Sequence, residues 1–236
     1  MTLLDTIAVV SVDYSQFYIQ TGEPEDFEPL WLDDYGLSLA SEFAPGQFLM
    51  TCMRQWAELP VRVQILEQHP GEPDPAWGDV VEVSIVAGDR PAITGWGGET
   101  PTSLPLDVGV SYRLRYLIKD ADLARDDEPG DSYWVQFWPA PIDPPRILVQ
   151  ESLAGIYWHA AKGVQFVNEA VSTLPEGDRL NAAIDLALER YPEAAERIRN
   201  DPSAAWILTS TVSIVAHNAG VEHDARLALI AERAAS

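Results

Sequence analysis

The 236-residue chain is 47% hydrophobic and 22% charged, an ordinary balance for a folded protein with a sizeable core. Its 37 Asp and Glu against 15 Lys and Arg set a formal net charge of −22 and a pI near 4.3, a field that repels nucleic acid and anionic lipid and speeds encounter with basic partners. A single cysteine, Cys52, excludes an internal disulfide and is compatible with a reducing compartment.

The charge is unevenly spread. Residues 1–150 hold 25 acids and 8 bases, and residues 151–236 hold 12 and 7. At the N-terminus Asp5 interrupts Met1-Thr2-Leu3-Leu4, no basic region precedes an apolar stretch, and no apolar run approaches the ~20 residues of a membrane span. A cytoplasmic protein with no membrane partner is therefore expected.

In chain order, runs at residues 6–20, 36–42 and 46–54 read as strands, the last placing Cys52 in a strand core. Val61, Val63 and Ile65 alternate with Arg62 and Gln64; Val81, Val83 and Ile85 alternate with Glu82 and Ser84; Tyr112, Leu114, Tyr116 and Ile118 alternate with Arg113 and Arg115. This period-2 pattern predicts half-buried strands with one wet face. Runs at 92–96, 131–138 and 146–151 complete about eight or nine strands, spaced as in a sandwich. Gly71-Glu72-Pro73-Asp74-Pro75 and residues 120–130 read as polar loops, and Pro139 to Pro145 as a rigid crossover.

The run Asp131 to Pro139 is unusual because both of its faces are large and apolar. Tyr133, Val135 and Phe137 share one side, and Trp134, Gln136 and Trp138 share the other. With one face in a core, the Trp134 and Trp138 face needs a cover, and the C-terminal segment is expected to supply it.

After Gln150 the period changes. Leu180, Ile184, Leu188 and Tyr191 fall on one face of a helix. Pro192-Glu193 and Asp201-Pro202 read as helix starts, with Asp201 as N-cap, and Gly220 stops one helix before another over 221–234. A further helix is expected within 153–173. The predicted class is α+β: an N-terminal antiparallel β-sandwich, jelly-roll-like, over residues 1–150, with a C-terminal α-helical domain over 151–236 docked on it.

No pattern demands catalysis, a metal or a cofactor. The histidines His69, His159, His217 and His223 form no dense spacing with carboxylate or thiol, and His217 and His223 lie six apart around Gly220. The acid clusters Glu23, Glu25, Asp26, Glu28, then Asp33-Asp34, then Asp126-Asp127-Glu128 lack the alternating calcium-loop pattern. Gly95-Trp96-Gly97-Gly98-Glu99 leads to Pro101 and not to a helix, so it reads as a turn and not as a phosphate cradle. A helix-turn-helix-like corner at 214–226 carries Glu222 and Asp224, the wrong sign for phosphate. Seven of the eight Trp precede residue 160, which suits either a wide core or a sugar-stacking surface.

Val12-Asp13-Tyr14-Ser15-Gln16-Phe17-Tyr18, followed by Trp31 and Gly36-Leu37, resembles the start of the competence protein J family over at most residues 7–120. Members of that family are small acidic β-proteins, and the name-giving one inhibits a DNA-entry nuclease. The resemblance implies an inhibitor and transfers no inhibitory residue.

The function expected from these features is a non-enzymatic acidic binding protein, without cofactor, that captures a basic protein partner, with a nuclease or nuclease-type toxin as the sharpest version. The expected contact surface is Glu25, Asp26, Glu28, Asp33, Asp34, Asp126, Asp127 and Glu128. The alternative is a small-ligand or carbohydrate-binding sandwich using Trp96, Trp134 and Trp138.

Overall fold

Alternation of apolar and polar residues is what the strands of the first part of the chain share, and in the computed structural model it gathers them into one sheet. The structure describes residues 1–22, 39–124 and 130–236. Two units are separable, Met1–Ser152 and Leu153–Ser236.

The first unit contains β1 (Thr2–Asp13), β2 (Gln16–Gln20), β3 (Ala40–Ala44), β4 (Gln47–Thr51), β5 (Trp56–Leu66), β6 (Asp79–Val86), β7 (Ala92–Thr94), β8 (Thr102–Ser103), β9 (Ser111–Lys119), β10 (Ser132–Pro139) and β11 (Arg146–Gln150). They pair in the order β11-β6-β9-β10-β5-β1-β2-β4-β3, with β7 on β2 and β8 on β7. The β5–β10 pair is parallel, and the other described pairs are antiparallel.

The expected two-sheet jelly roll is replaced by this single curled, mostly antiparallel sheet. The reason lies at β2, which joins β1 only at the hairpin end, Asp13 opposite Gln16, and otherwise pairs with β4 and β7. Beyond the hairpin the sheet bends back over its own inner face. Phe17 then meets Tyr116 edge-on at 5.8 Å, the Tyr116 hydroxyl donates to the Thr51 carbonyl at 3.0 Å, and β3 reaches β6.

The core lies inside that curl. Val81, Val83 and Ile85 of β6 stand opposite Tyr116, Leu114 and Tyr112 of β9; β10 adds Tyr133, Val135 and Phe137, and β5 adds Val61, Val63 and Ile65. All are buried, and each such side chain contributes roughly 1.5–3 kcal/mol relative to exposure.

The predicted strand over 6–20 is broken at Tyr14-Ser15. Both residues have positive φ, 53° and 61°, as a two-residue hairpin turn of mirror-image type requires. Neither is the Gly or Asn that accepts this region cheaply. Ser15→Gly is therefore expected to stabilise the protein by about 0.5–1 kcal/mol, read from urea unfolding followed by Trp fluorescence. A loss of stability would show that the serine side chain outweighs its backbone strain.

The second unit contains α1 (Leu153–Ala161), α2 (Val164–Val171), α3 (Glu176–Arg190), α4 (Pro192–Asn200), a 3-10 helix (Pro202–Leu208), α5 (Ser213–Asn218) and α6 (His223–Ala234). Leu180, Ile184 and Tyr191 are buried as their spacing predicts, in a cluster with Ile198, Ile207, Leu208, Val212 and Ile230. The helix expected within 153–173 is split at Gly163, where a Cβ would lie 2.0 Å from the Tyr191 hydroxyl oxygen; only glycine leaves that ring its place. Asp201 does cap, its Oδ1 accepting from the Ser203 amide at 3.0 Å and the Ser203 hydroxyl at 2.7 Å. These bonds hold its carboxyl below the usual range, and the helix it opens is 3-10 rather than α. Among the described residues no helix is long and apolar enough to cross a membrane.

Candidate functional site

The eight acids expected to meet a partner, Glu25, Asp26, Glu28, Asp33, Asp34, Asp126, Asp127 and Glu128, lie outside the described residues. The three expected ligand-stacking indoles are placed, and they do not form one open platform. Trp138 is 3% exposed, Trp134 is half-buried, and Trp96 is 41% exposed in the 3-10 turn Trp96–Gly98, tilted against Tyr14 at 5.8 Å. Gly97 and Gly98 in that turn have φ of 68° and 80°, which accounts for the glycine run as turn chemistry.

The face of the sheet that carries Trp134 and Trp138 is not wet, contrary to the alternation-based expectation for Arg113 and Arg115. Arg146, Glu82, Arg115, Gln136, Gln64 and Asp5 stand opposite one another across six strands, β11-β6-β9-β10-β5-β1. Glu82 accepts from Arg115 at 2.8 Å and from Arg113 at 3.1 Å; Gln136 donates to Gln64 at 2.9 Å, and Gln64 to Asp5 at 3.2 Å. Arg62 grips Asp5 through two nitrogens at 2.9 and 2.6 Å, and that hydrogen bonding holds the Asp5 carboxyl below its ordinary value.

Within this unit the segment between β5 and β6 supplies the cover that the indoles need. Trp77 tilts against Trp134 at 5.6 Å, His69 meets Trp138 edge-on at 5.1 Å, and Arg115 donates to the Gly71 carbonyl at 2.9 Å. Arg62 sits 4.3 Å over the Trp134 ring and Arg115 5.2 Å over Trp138, an arrangement that desolvated cation–π pairing favours. Arg113 spends its remaining donors on the carbonyls of Asp143 at 2.8 Å and Pro144 at 3.0 Å. The face is thus a covered network of paired charges and ring contacts, in which the Trp134 Nε1 is buried without a hydrogen-bond partner among the described residues.

A different group of carboxylates converges where β6 begins and β9 and β11 end. Pairing sets Asp79 opposite both Ile118 and Gln150, so the chain just past β9 and just past β11 meets at the start of β6. A cavity of about 270 Å³ opens there, walled by Pro75, Gly78, Asp79, Asp120, Asp122, Glu151 and Ser152 among others. Asp120, Asp122 and Glu151 are exposed at its rim, whereas Asp79 is 1% exposed. Asp79 Oδ1 accepts from the Ser152 amide at 3.4 Å, and Oδ2 is buried with no hydrogen-bond partner. Burial raises the Asp79 carboxyl above its ordinary value against the opposing hydrogen bonds from Ser152 and Glu151, and the Asp122 charge adds a smaller rise.

Among the described residues, Cys52 and His159 are not placed as a reactive thiol or a catalytic base. Cys52 is fully buried and its thiol is pushed up to about 12, chiefly by burial, the reverse of an activated thiolate. His159 is half-buried, edge-on to Tyr191 at 5.5 Å, with burial lowering its basicity. Among the described residues no three His, Cys, Asp or Glu side chains are grouped to hold a metal. Sequence reading missed the Asp79 group because its four acids are scattered over 73 positions and only the β11-β6-β9 pairing joins them. The one local signal was that Asp79, Asp120 and Glu151 each abut the end of a predicted strand.

No protein-family model matches this sequence. No curated protein matches it either. Among solved structures, the chain is similar to ComJ from Bacillus subtilis, an inhibitor of the DNA-degrading activity of NucA, with 15% identity over 59% of this chain and 98% of that one and a TM-score of 0.41. It is also similar to the protein named crocagin biosynthetic gene J, with 13% identity over 59% of this chain and all of that one and a TM-score of 0.37. The resemblance read from Tyr14-Ser15-Gln16-Phe17 thus has a structural counterpart in ComJ, one too distant to carry a functional argument.

Proposed function

We propose that this chain is a non-enzymatic binding protein that captures a basic protein partner with fixed carboxylates, and that the partner is a nuclease. The observation that carries the reading is where the cations of the first unit go. Of the eight within residues 1–150, Arg54, Arg62, Arg113, Arg115 and Arg146 are each tied to a carboxylate, the acceptors being Asp131, Asp5, Glu82 and Asp143. Three of these arginines are buried. Even with every one of the eight cations matched by an acid, the 25 acids of residues 1–150 leave an excess of 17 carboxylates.

A surface so biased attracts a basic partner at long range and repels nucleic acid. A nuclease groove is basic because it must hold phosphates, and fixed carboxylates occupy such a groove as a phosphate backbone would. Glu25, Asp26, Glu28, Asp33, Asp34, Asp126, Asp127 and Glu128 belong to the proposed contact surface, for which their density in sequence speaks.

The test is capture on the immobilised full chain from a lysate of its source, eluted by a salt gradient, with the eluate assayed for nuclease activity before and after the chain is added back. A stoichiometric basic protein whose log affinity falls linearly with log salt is expected, together with suppression of its nuclease activity. Retention of no basic protein at low salt, or a complex indifferent to salt past the ~10 Å Debye length of 0.1 M, overturns the reading.

A further inference from the structure

We infer that the captured partner docks on the open edge of β1, from Asp5 to Val9, by laying an extended segment of its own chain there as an added strand. The segment has β-branched residues at its centre and Lys or Arg at its ends. The inference rests on the basic-partner reading above and names the contact that reading lacks.

On one side β1 pairs with β5 from Thr2 to Asp13, but on the other it meets β2 only where Asp13 stands opposite Gln16. That pair closes a two-residue hairpin, so it exchanges its backbone hydrogen bonds across the turn. In an antiparallel ladder the direction of these bonds alternates from residue to residue, and the β1–β5 register runs without a shift from Leu4 to Asp13. Val12, Val10, Ala8 and Thr6 therefore bond to β5, whereas Ser11, Val9, Ile7 and Asp5 aim their N–H and C=O the other way. Gly95 closes over Ser11, where a Cβ on the glycine would fall 2.4 Å from the Ser11 carbonyl oxygen. Among the described residues no strand pairs with Val9, Ile7 and Asp5 on that side.

Folded proteins blunt an open edge with Lys, Pro, a bulge or a very short strand. β1 has 12 residues with neither Lys nor Pro, and its irregularity lies outside the open stretch, between Thr2 and Leu4. The one charge within that stretch, Asp5, is matched by Arg62. The outward side chains are unburied as well: Leu3 and Ile7 are each 59% exposed and Val9 is 50% exposed, with Pro60 exposed opposite Val9. A lone exposed Val or Ile is ordinary. An apolar strip along an unprotected edge is the arrangement that strand addition uses, main-chain bonds supplying affinity and alternate side chains specificity.

Charge selects the occupant. Pairing β1 with β1 of a second copy would bring together two chains of net charge −22, and a net charge so far from zero keeps copies apart. The apolar strip lies between Asp5 at one end and Asp13 and Glu58 at the other, all on the same outward face. A segment that is apolar in the middle and basic at its ends complements that order.

The experiment titrates a blocked peptide, Lys-Lys-Val-Thr-Val-Lys-Lys, into the full chain and follows backbone amide exchange by NMR. In the free chain the amides of Asp5, Ile7 and Val9 should exchange fast and those of Thr6, Ala8 and Val10 slowly. Saturating peptide should slow the first three at least tenfold and leave the second three unchanged. Affinity should fall at least tenfold in Val9→Pro, which removes one edge donor at constant charge, and in Ile7→Lys, which keeps every bond to β5 and so carries the test should the proline variant fail to fold. Slow exchange of Ile7 and Val9 in the free chain, equal binding of Lys-Lys-Val-Pro-Val-Lys-Lys, unchanged affinity in both variants, or a homodimer that Val9→Pro dissociates would each overturn the assignment. Salt-eluted capture repeated with both variants separates the two claims. If they retain the basic protein undiminished, the edge is the wrong contact and the basic-partner reading stands. If the parent chain captures no basic protein, that reading falls and the inference with it.

Discussion

Replacing Glu82 by glutamine is expected to cost the fold about 3–5 kcal/mol, a large effect for an exchange outside the apolar core. Glu82 is the single carboxylate serving two buried guanidiniums, those of Arg113 and Arg115, and the three side chains are 2–5% exposed. Glutamine keeps one acceptor oxygen but turns an amide NH2 toward the second arginine, so two cations share a buried site with no counter-charge and one donor–donor contact. Removing Arg113 is a different matter. Arg113→Met leaves a one-to-one Glu82–Arg115 pair and loses hydrogen bonds to the Asp143 and Pro144 carbonyls, for about 1–3 kcal/mol.

The order of the two variants is the informative result. Urea unfolding followed by Trp fluorescence reports on this unit, because six of the eight Trp lie within residues 1–152. If Glu82→Gln costs no more than Arg113→Met, the pair contributes as ordinary hydrogen bonds and not as a charge balance. Added salt should leave the difference unchanged, since a buried pair is poorly screened.

That network also shows what could and could not be read from the chain. The alternation in Val81-Glu82-Val83-Ser84-Ile85 and in Tyr112-Arg113-Leu114-Arg115-Tyr116 placed the strands and chose their inner face, because period 2 is a local property. The same letters predicted water over Glu82, Arg113 and Arg115, and there the reading failed. Whether a polar face is wet depends on what is folded across it, and the segment bearing His69, Gly71 and Trp77 carries no periodic signal of where it will lie. The sandwich was misjudged for a related reason: strand number and spacing were legible, whereas the three-way pairing of β2 that makes one curled sheet from two expected ones is a matter of partner choice. The helices were read more closely, since Leu180, Ile184 and Tyr191 announce a buried face by spacing alone, and the miss at Gly163 arose from a tertiary contact with Tyr191. For the candidate site, bulk charge gave only the sign of the surface, and only register brought Asp79, Asp120, Asp122 and Glu151 to one place.

A second buried pair closes the inner side of the sheet and should be almost as sensitive. Asp131 accepts from Arg54 Nε at 2.8 Å and from the Tyr133 hydroxyl, and Tyr133 in turn receives the Met53 amide at 2.9 Å. These bonds fasten the strand-following segment Cys52–Arg54 over β10. Asp131→Ala strands the Arg54 guanidinium, whose side chain is 6% exposed, and is expected to cost about 3–5 kcal/mol. Cys52 supplies a local reporter: its Sγ lies 3.4 Å from the Arg54 carbonyl, and its thiol, pushed up to about 12 by burial, is nearly all protonated at pH 8 and should resist a thiol reagent in the parent chain. In Asp131→Ala the segment loses its clamp, so labelling should accelerate by more than tenfold at pH 8. It should do so even at protein concentrations and temperatures where Trp fluorescence still reports a folded sheet, because local opening requires less free energy than global unfolding. Labelling that rises only in step with global unfolding would mean that the Arg54–Asp131 pair stabilises the whole sheet and does not clamp this segment in particular. Arg54→Met separates charge from packing. It leaves the buried Asp131 without its cation but with the Tyr133 hydroxyl, so labelling of Cys52 should accelerate in this variant as it does in Asp131→Ala.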